Sequence, residues 1–292
     1  MKQTYILTSL LCLTVLLMPG CTSPIGSGDD PSPSTLAINF GTPQADTRAA
    51  VNSSADMGNF SVWGGYDGNA SNVFSQVTVH SPGWTYDGGT RYWISGKTYN
   101  FYAVHPAGLD ASVNDSGTIT VNDFDCSKTG NEAVDLMTAT ATGLKGSEAP
   151  TVGLKFGHEL AQVKVSVESN GATVDEMKVY GVSYKGNFNS GSTSKWTVTD
   201  TTEENATPFS GTTALDMLLL PATDLTDAKL KITYHYGSDT SATRTNEASL
   251  AIAEGWAAGQ QYHYKVSIVA GKLTITVTVA DWKEEDTSVS WQ

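Results

Sequence analysis

Hydrophobic and polar residues alternate over short stretches along most of the chain. A period of two is typical of β-strands that bury one face and expose the other. The alternation is clearest in residues 162–167, 230–234 and 273–279. Glycine, proline and aspartate separate such stretches at intervals of roughly ten residues, as turns do in β-sandwiches. We therefore expect an all-β protein.

Three stretches carry more specific predictions. Tyr262–Ile268 and Leu273–Val279 alternate on either side of an Ala270–Gly271 turn, which predicts a β-hairpin with one buried face. The dense apolar run Leu215–Pro221 predicts a strand that is buried on both faces. Asp135–Ala139 is expected to lie in a loop-rich region.

The predicted strands divide into two β-sandwich domains of similar size. We place the boundary near Phe156–Gly157, which gives domains at residues 35–156 and 157–292. The chain of 292 residues is long enough for two such domains. Its many glycines and its lack of leucine-rich helical stretches after the N-terminus also favour strands joined by turns.

The N-terminus is typical of an export signal rather than of a folded domain. A lysine at position 2 precedes an apolar run that is too short to span a bilayer, and Pro19–Gly20 leads into Cys21. Residues 17–21 resemble a bacterial lipobox, so we expect residues 1–20 to be a lipoprotein signal and Cys21 to be lipidated. An ordinary secretory signal that ends near a cysteine is the alternative.

The residues after Cys21 predict a tether and then a short strand. Residues 21–34 are rich in serine, glycine and proline and have no apolar periodicity, so they cannot bury enough surface to order themselves. Leu36, Ile38 and Phe40 alternate onto one face of a predicted strand. The polar stretch 41–58 follows and contains Arg48–Ala49.

Charge and chemistry exclude several functions. The formal net charge of −13 argues against nucleic acid as a partner. Of three cysteines, Cys126 alone lies outside the first 21 residues, so we expect no intrachain disulfide and a buried or half-buried Cys126 rather than a catalytic thiol. The five histidines lack metal-ligand spacing, and the sequence has no Gly-x-Ser-x-Gly motif and no phosphate loop. Residues 192–195 match a Ser-x-x-Lys pattern, but they lie in a Gly/Ser-rich turn and lack the companion motifs. We therefore predict no cofactor, no metal and no enzymatic activity.

Several stretches, taken together in order and spacing, resemble the fimbrillin (Mfa-like) family, the lipoprotein pilins of type V pili. They are residues 36–40 with 47–49, 101–106, 135–139, 156–161, 218–221, 255–264 and 279–282. They extend over nearly the whole chain after the signal.

The resemblance implies a fold and an assembly mechanism. It implies two tandem transthyretin-like β-sandwiches, export to the cell outer membrane as a lipoprotein, and a final place in a cell-surface fimbria. An arginine-specific protease would remove the N-terminal strand, and a strand of another pilin subunit would fill the emptied groove. Arg48 and Ala49 occupy the place of that cleavage. Some family members act as anchors or tips and are not processed alike.

The residues themselves are compatible with this mechanism. Loss of the strand with Leu36, Ile38 and Phe40 would expose unpaired backbone and an apolar slot, which can template an added strand. The candidate donor strand consists of Val289, Ser290, Trp291 and Gln292, which follow the last predicted strand through a polar linker.

A second hypothesis is a surface glycan-binding or adhesive tip lipoprotein that does not polymerise. Trp63, Trp84 and Trp93 cluster in the first half and could stack on a sugar, or they could fill the sandwich core. A host or bacterial surface receptor is a further candidate partner under either hypothesis.

Overall fold

The computed structural model of the protein describes residues 33–45 and 57–281, and these belong to one compact unit. Strands dominate this part of the chain, so the predicted all-β class is confirmed. Its one helical element is the 3-10 turn Gly130–Glu132. Among the described residues no helix has the length and apolar character needed to cross a bilayer.

Twenty-one strands lie in the described residues. They are β1 Pro33–Ala37, β2 Gln44–Ala45, β3 Phe60–Tyr66, β4 Phe74–His80, β5 Thr85–Tyr86, β6 Tyr92–Ile94, β7 Thr98–His105, β8 Ala111–Val113, β9 Ile119–Asp125, β10 Met137–Lys145, β11 Lys155–His158, β12 Ala161–Glu168, β13 Ala172–Tyr180, β14 Ser183–Asn189, β15 Trp196–Thr201, β16 Ser210–Gly211, β17 Ala214–Leu219, β18 Lys229–Tyr236, β19 Arg244–Ser249, β20 Gln260–Val269 and β21 Lys272–Asp281.

A seven-stranded sheet forms the framework of the first half, in the order β2-β11-β10-β7-β3-β4-β5. Both of its faces are buried, because neighbouring residues of one strand enter different cores. Phe101 of β7 lies in one core, which we call the N-terminal core. Tyr102 and Val104 of the same strand lie in another, which we call the central core.

The central core is shared by the two halves of the chain. Its second wall is a four-stranded sheet in the order β15-β14-β9-β8, in which β9 from the first half pairs with β14 from the second. Phe124 of β9 and Phe188 of β14 are buried there together. The expected boundary at Phe156–Gly157 falls inside β11, so the division at that position stays a prediction that the strand bounds do not support.

The second half contains a sandwich of two four-stranded sheets around the C-terminal core. Their orders are β17-β12-β20-β21 and β16-β13-β18-β19. The predicted hairpin is confirmed: β20 and β21 pair from Gln260↔Asp281 to Val269↔Lys272. The apolar run at residues 215–221 is also confirmed as buried on both faces, since Met217 lies in the C-terminal core and Leu218 in the central core.

Two predictions about secondary structure were wrong. Residues 137–139, expected in a loop-rich region, begin the nine-residue strand β10, which pairs with β7 and β11 inside the large sheet. Its threonines and alanines alternate, and their small side chains hid the period. The tether was expected to reach residue 34, but β1 begins at Pro33 because the chain there pairs with β6.

Candidate functional site

The described residues before the first core strand form a separate element, the N-terminal segment (residues 33–45). It contains β1, an isolated bridge at Phe40 and β2. β1 pairs antiparallel with β6, Phe40 pairs in parallel with Val152, and β2 pairs in parallel with β11. We call the surface that receives it the N-terminal groove, formed by residues 84–94, residues 151–156 and the aromatic side chains beneath them.

Main-chain hydrogen bonds hold the segment from both sides. On one side, Ile38 N donates to the Arg91 carbonyl oxygen at 2.8 Å. On the other side, Gly41 N donates to the Val152 oxygen at 3.0 Å, and Val152 N donates to the Asn39 oxygen at 2.8 Å. The segment therefore fills a gap between two parts of the chain, as an inserted strand does.

Two side chains anchor the segment in the N-terminal core. Ile38 is fully buried and Phe40 is 7% exposed. The Phe40 ring meets the rings of Phe74, Tyr86 and Phe101 edge-on, at centroid distances of 5.5, 5.8 and 5.9 Å. Edge-to-face contact is a favourable geometry for aromatic pairs. Phe40 is thus a core residue supplied by a peripheral segment.

Leu36 does not share this position, and the expectation that it faces inward with Ile38 and Phe40 was wrong. Its side chain is 58% exposed. The register of β1 against β6 shifts between Pro33 and Ala37, and β1 ends before Ile38. The strict alternation that the sequence suggested is therefore broken between Leu36 and Ile38.

Tyr86 and Arg91 form a hydrogen-bonded pair next to Ile38. The Tyr86 hydroxyl donates to the Ile38 carbonyl oxygen at 3.0 Å and accepts from Arg91 N at 3.1 Å. The Arg91 side chain donates from Nε to the Val73 oxygen at 2.7 Å. Its guanidinium carbon lies 4.6 Å from the Phe74 ring centroid, a cation–π distance. No motif in the sequence pointed to either residue, since neither lies close in sequence to the segment they bind.

A pocket of about 370 Å³ opens beside Phe40. The segment contributes Ala37, Asn39 and Phe40 to its lining, and the opposite wall contains Trp84 and Tyr86. The pocket therefore lies between the Phe40 ring and the surface.

A buried polar cluster lies at the far end of β11. His158 Nδ1 is 2.7 Å from Asp135 Oδ2, and both side chains are 1% exposed. His105 Nδ1 lies 3.3 Å from the Asp135 carbonyl oxygen, and burial lowers the pKa of His105. These contacts connect His105 at the end of β7 and His158 at the end of β11 to Asp135. They give His158 a structural role, and no group of three potential metal ligands occurs in the described part of the chain.

Other candidate residues take structural positions. Cys126 is 2% exposed, and burial raises the pKa of its thiol, as expected for a packed cysteine. Trp93 is fully buried in the N-terminal core and Trp63 is 4% exposed in the central core. They therefore cannot present a face to a sugar, and Trp84 is the partly exposed member of the three.

The remaining predicted sites lie outside the described residues. They are the lipidation site Cys21, the processing site Arg48 and Ala49, and the candidate donor residues Val289, Ser290, Trp291 and Gln292.

Comparison with known families decides the relationship. A family model described as fimbrillin-like matches residues 47–282. The chain belongs to the fimbrillin-like family. As a member it is a structural protein rather than an enzyme. Its place is a cell-surface fimbria, and other pilin subunits are its partners.

Solved structures of low sequence identity share the fold of this fimbrillin-like chain. A candidate cell adhesion protein from Bacteroides uniformis aligns with a TM-score of 0.60 at 16% identity, over 85% of this chain and 99% of its own. A candidate cell adhesion protein from Bacteroides ovatus aligns with a TM-score of 0.57 at 19% identity, over 86% of this chain and 98% of its own. A fimbrial protein from Bacteroides vulgatus aligns with a TM-score of 0.53 at 18% identity, over 85% of this chain and 100% of its own. No curated protein sequence matches the chain.

The geometry of the segment predicts unequal effects of two substitutions that lie four residues apart. Phe40→Ala removes a buried ring that packs against four other rings, so it should lower the free energy of unfolding by about 3–5 kcal/mol. Leu36→Ala removes an exposed side chain of the same segment and should change it by about 0.5 kcal/mol or less. Urea denaturation followed by tryptophan fluorescence measures both. Equal effects would show that Phe40 does not anchor the segment.

Proposed function

We propose that this chain is a fimbrial subunit that is exported as a lipoprotein through Cys21, cut after Arg48, and joined to other subunits by strand exchange in the N-terminal groove. The observation that carries the proposal is the N-terminal segment itself. It is bonded along both edges and supplies Ile38 and Phe40 to the core, yet it precedes the polar stretch that contains Arg48.

The three arginines of the chain differ in their access to a protease. Proteases act on extended, accessible segments. Arg244 begins β19 and pairs with Tyr234, and Arg91 is bonded through its side chain to the Val73 oxygen. Arg48 lies in a polar stretch with several small residues. An arginine-specific protease is therefore expected to act at Arg48 and to separate residues 1–48 from the rest.

Removal of the segment would leave a groove that favours a new strand. The Arg91 oxygen and both polar groups of Val152 would lose their partners, and unpaired backbone at a strand edge is a template for strand addition. Ile38 and Phe40 together stabilise the filled groove by roughly 3–6 kcal/mol, at about 1.5–3 kcal/mol for each buried side chain. That is a large part of the 5–15 kcal/mol typical of a whole domain. A replacement strand would restore it.

The proposed replacement is the C-terminal segment of another subunit, with Val289, Ser290, Trp291 and Gln292. These residues follow β21 and the polar stretch 283–288. Before cleavage, the acylated Cys21 would hold the precursor at the outer membrane, since each buried methylene contributes about 0.8 kcal/mol. After cleavage the subunit would keep its place only through its neighbours. A host or bacterial surface receptor would bind the assembled fimbria.

The lipid anchor is tested by Cys21→Ser. Without the thiol no acyl group can be attached, so the variant should move from the membrane fraction to the soluble fraction. Fractionation with immunoblotting and mass spectrometry of the N-terminal peptide measures this. A variant that still pellets with membranes and still carries acyl mass would contradict the anchor.

The processing site is tested by Arg48→Ala, with Arg244→Ala as the matched control. Treatment with an arginine-specific protease should convert the wild type and the control from monomers to ladders that resist mild denaturant. Arg48→Ala should stay monomeric because its groove stays filled. Denaturing gels and negative-stain electron microscopy give the readout. Arg48→Ala ladders equal to those of the wild type would place the switch elsewhere.

A further inference from the structure

We propose that Tyr86 and the pocket beside Phe40 determine which strand the N-terminal groove accepts and in which register. The accepted strand places an apolar residue where Ile38 now lies and an aromatic residue, two positions later, where Phe40 lies. In a second copy of this chain these residues are Val289 and Trp291. The inference rests on the proposed strand exchange and adds to it the chemistry of the donor and its alignment.

The first determinant acts on the backbone. The peptide groups of Ile38 are bound at both polar atoms by one pair of residues: Tyr86 donates to the Ile38 oxygen at 3.0 Å, and the Arg91 oxygen accepts from Ile38 N at 2.8 Å. Because these bonds involve no side chain of the segment, another residue with a backbone N–H can take the place of Ile38. They fix one residue of the strand at one point in the groove.

The position of Tyr86 does not depend on the segment alone. Its hydroxyl accepts from Arg91 N at 3.1 Å. The Arg91 guanidinium carbon lies 5.4 Å from the Tyr86 ring centroid and 4.6 Å from that of Phe74, and Nη1 donates to the oxygens of Asp87 and Gly89. These bonds lie within residues 73–91. They hold the hydroxyl in place for an incoming strand, which lowers the ordering cost of binding.

The second determinant acts on a side chain. The Phe40 site is lined by aromatic rings in edge-to-face contact, and one of them, Tyr86, also lines the surface pocket. The pocket of about 370 Å³ continues past Phe40 to Gly83, Trp84 and Gly89. It provides room for a ring larger than phenylalanine, and an indole is the larger aromatic group that the C-terminal segment carries in Trp291.

The alternation of the C-terminal segment fits this register. With Val289 at the position of Ile38, Ser290 takes the place of Asn39, which is exposed. Gln292 takes the place of Gly41, where a Cβ would lie 3.2 Å from Thr151 Cγ2, and the exposed Thr151 can shift to relieve that contact. A slip by one residue would bury Ser290 and expose Trp291, so the apolar pair specifies one alignment.

The test measures peptide binding to the emptied groove. The receiver is the full chain carrying Val289→Ser and Trp291→Ser, so that it cannot donate to its neighbours, cut after Arg48 and freed of the released segment in mild denaturant. Fluorescence polarisation then follows a labelled peptide of residues 283–292. A labelled peptide of residues 33–45 reports whether the groove is open.

The expected affinities distinguish the contribution of the Trp291 side chain from that of the hydrogen bond between Tyr86 and the strand backbone. Trp291→Ala in the peptide should weaken binding at least about tenfold, Trp291→Phe by about threefold or less, and the outward control Ser290→Ala by about twofold or less. Tyr86→Phe in the receiver should weaken both peptides alike by about fivefold, through one lost hydrogen bond. The control Tyr236→Phe, at an exposed tyrosine of β18 outside the groove, should leave both affinities unchanged.

The outcomes distinguish failure of this inference from failure of the proposed strand exchange. Capture of the 33–45 peptide without the 283–292 peptide would overturn this inference and leave the groove of the proposed function intact. Capture of neither peptide would overturn the proposed function and this inference with it. Equal binding of the Trp291→Ala and unchanged peptides would overturn the aromatic selection, and this comparison uses the same receiver for both peptides.

Discussion

The packing of Phe40 against Phe74, Tyr86 and Phe101 connects a peripheral segment to the core of the first half. Core residues normally come from strands that the rest of the fold holds in place. Here the ring comes from a segment that is joined to its neighbours by a few main-chain hydrogen bonds and two buried side chains. The stability of the N-terminal core therefore depends on an element that a single backbone cut could separate from it.

The other two cores contain no residue of the N-terminal segment, so their packing does not depend on it. The central core lies on the opposite face of the seven-stranded sheet, and the pairing of β9 with β14 joins the first half to the second. β17 then connects the central core to the C-terminal core through Met217 and Leu218. Loss of the segment would open one core while two others stay packed, as the proposed strand exchange requires.

Sequence reasoning succeeded where a local pattern determines the structure. The alternation of β20 and β21 and the dense run in β17 are local signals, and both gave the right faces. It failed where small side chains hide the period, as in the threonine- and alanine-rich β10. It also failed at Leu36, where a shifted register against β6 breaks the alternation. The pairing of Tyr86 with Arg91 and Ile38 depends on tertiary contacts, which no spacing in the sequence reveals.

Cryo-electron microscopy of filaments formed after cleavage at Arg48 tests the central claim most directly, because it shows which chain occupies the N-terminal groove. We expect a strand beside Arg91 and Val152 that is continuous with the C-terminus of the neighbouring subunit, with an indole in the place of Phe40. Filaments in which residues 36–41 of the same subunit still fill the groove would contradict it.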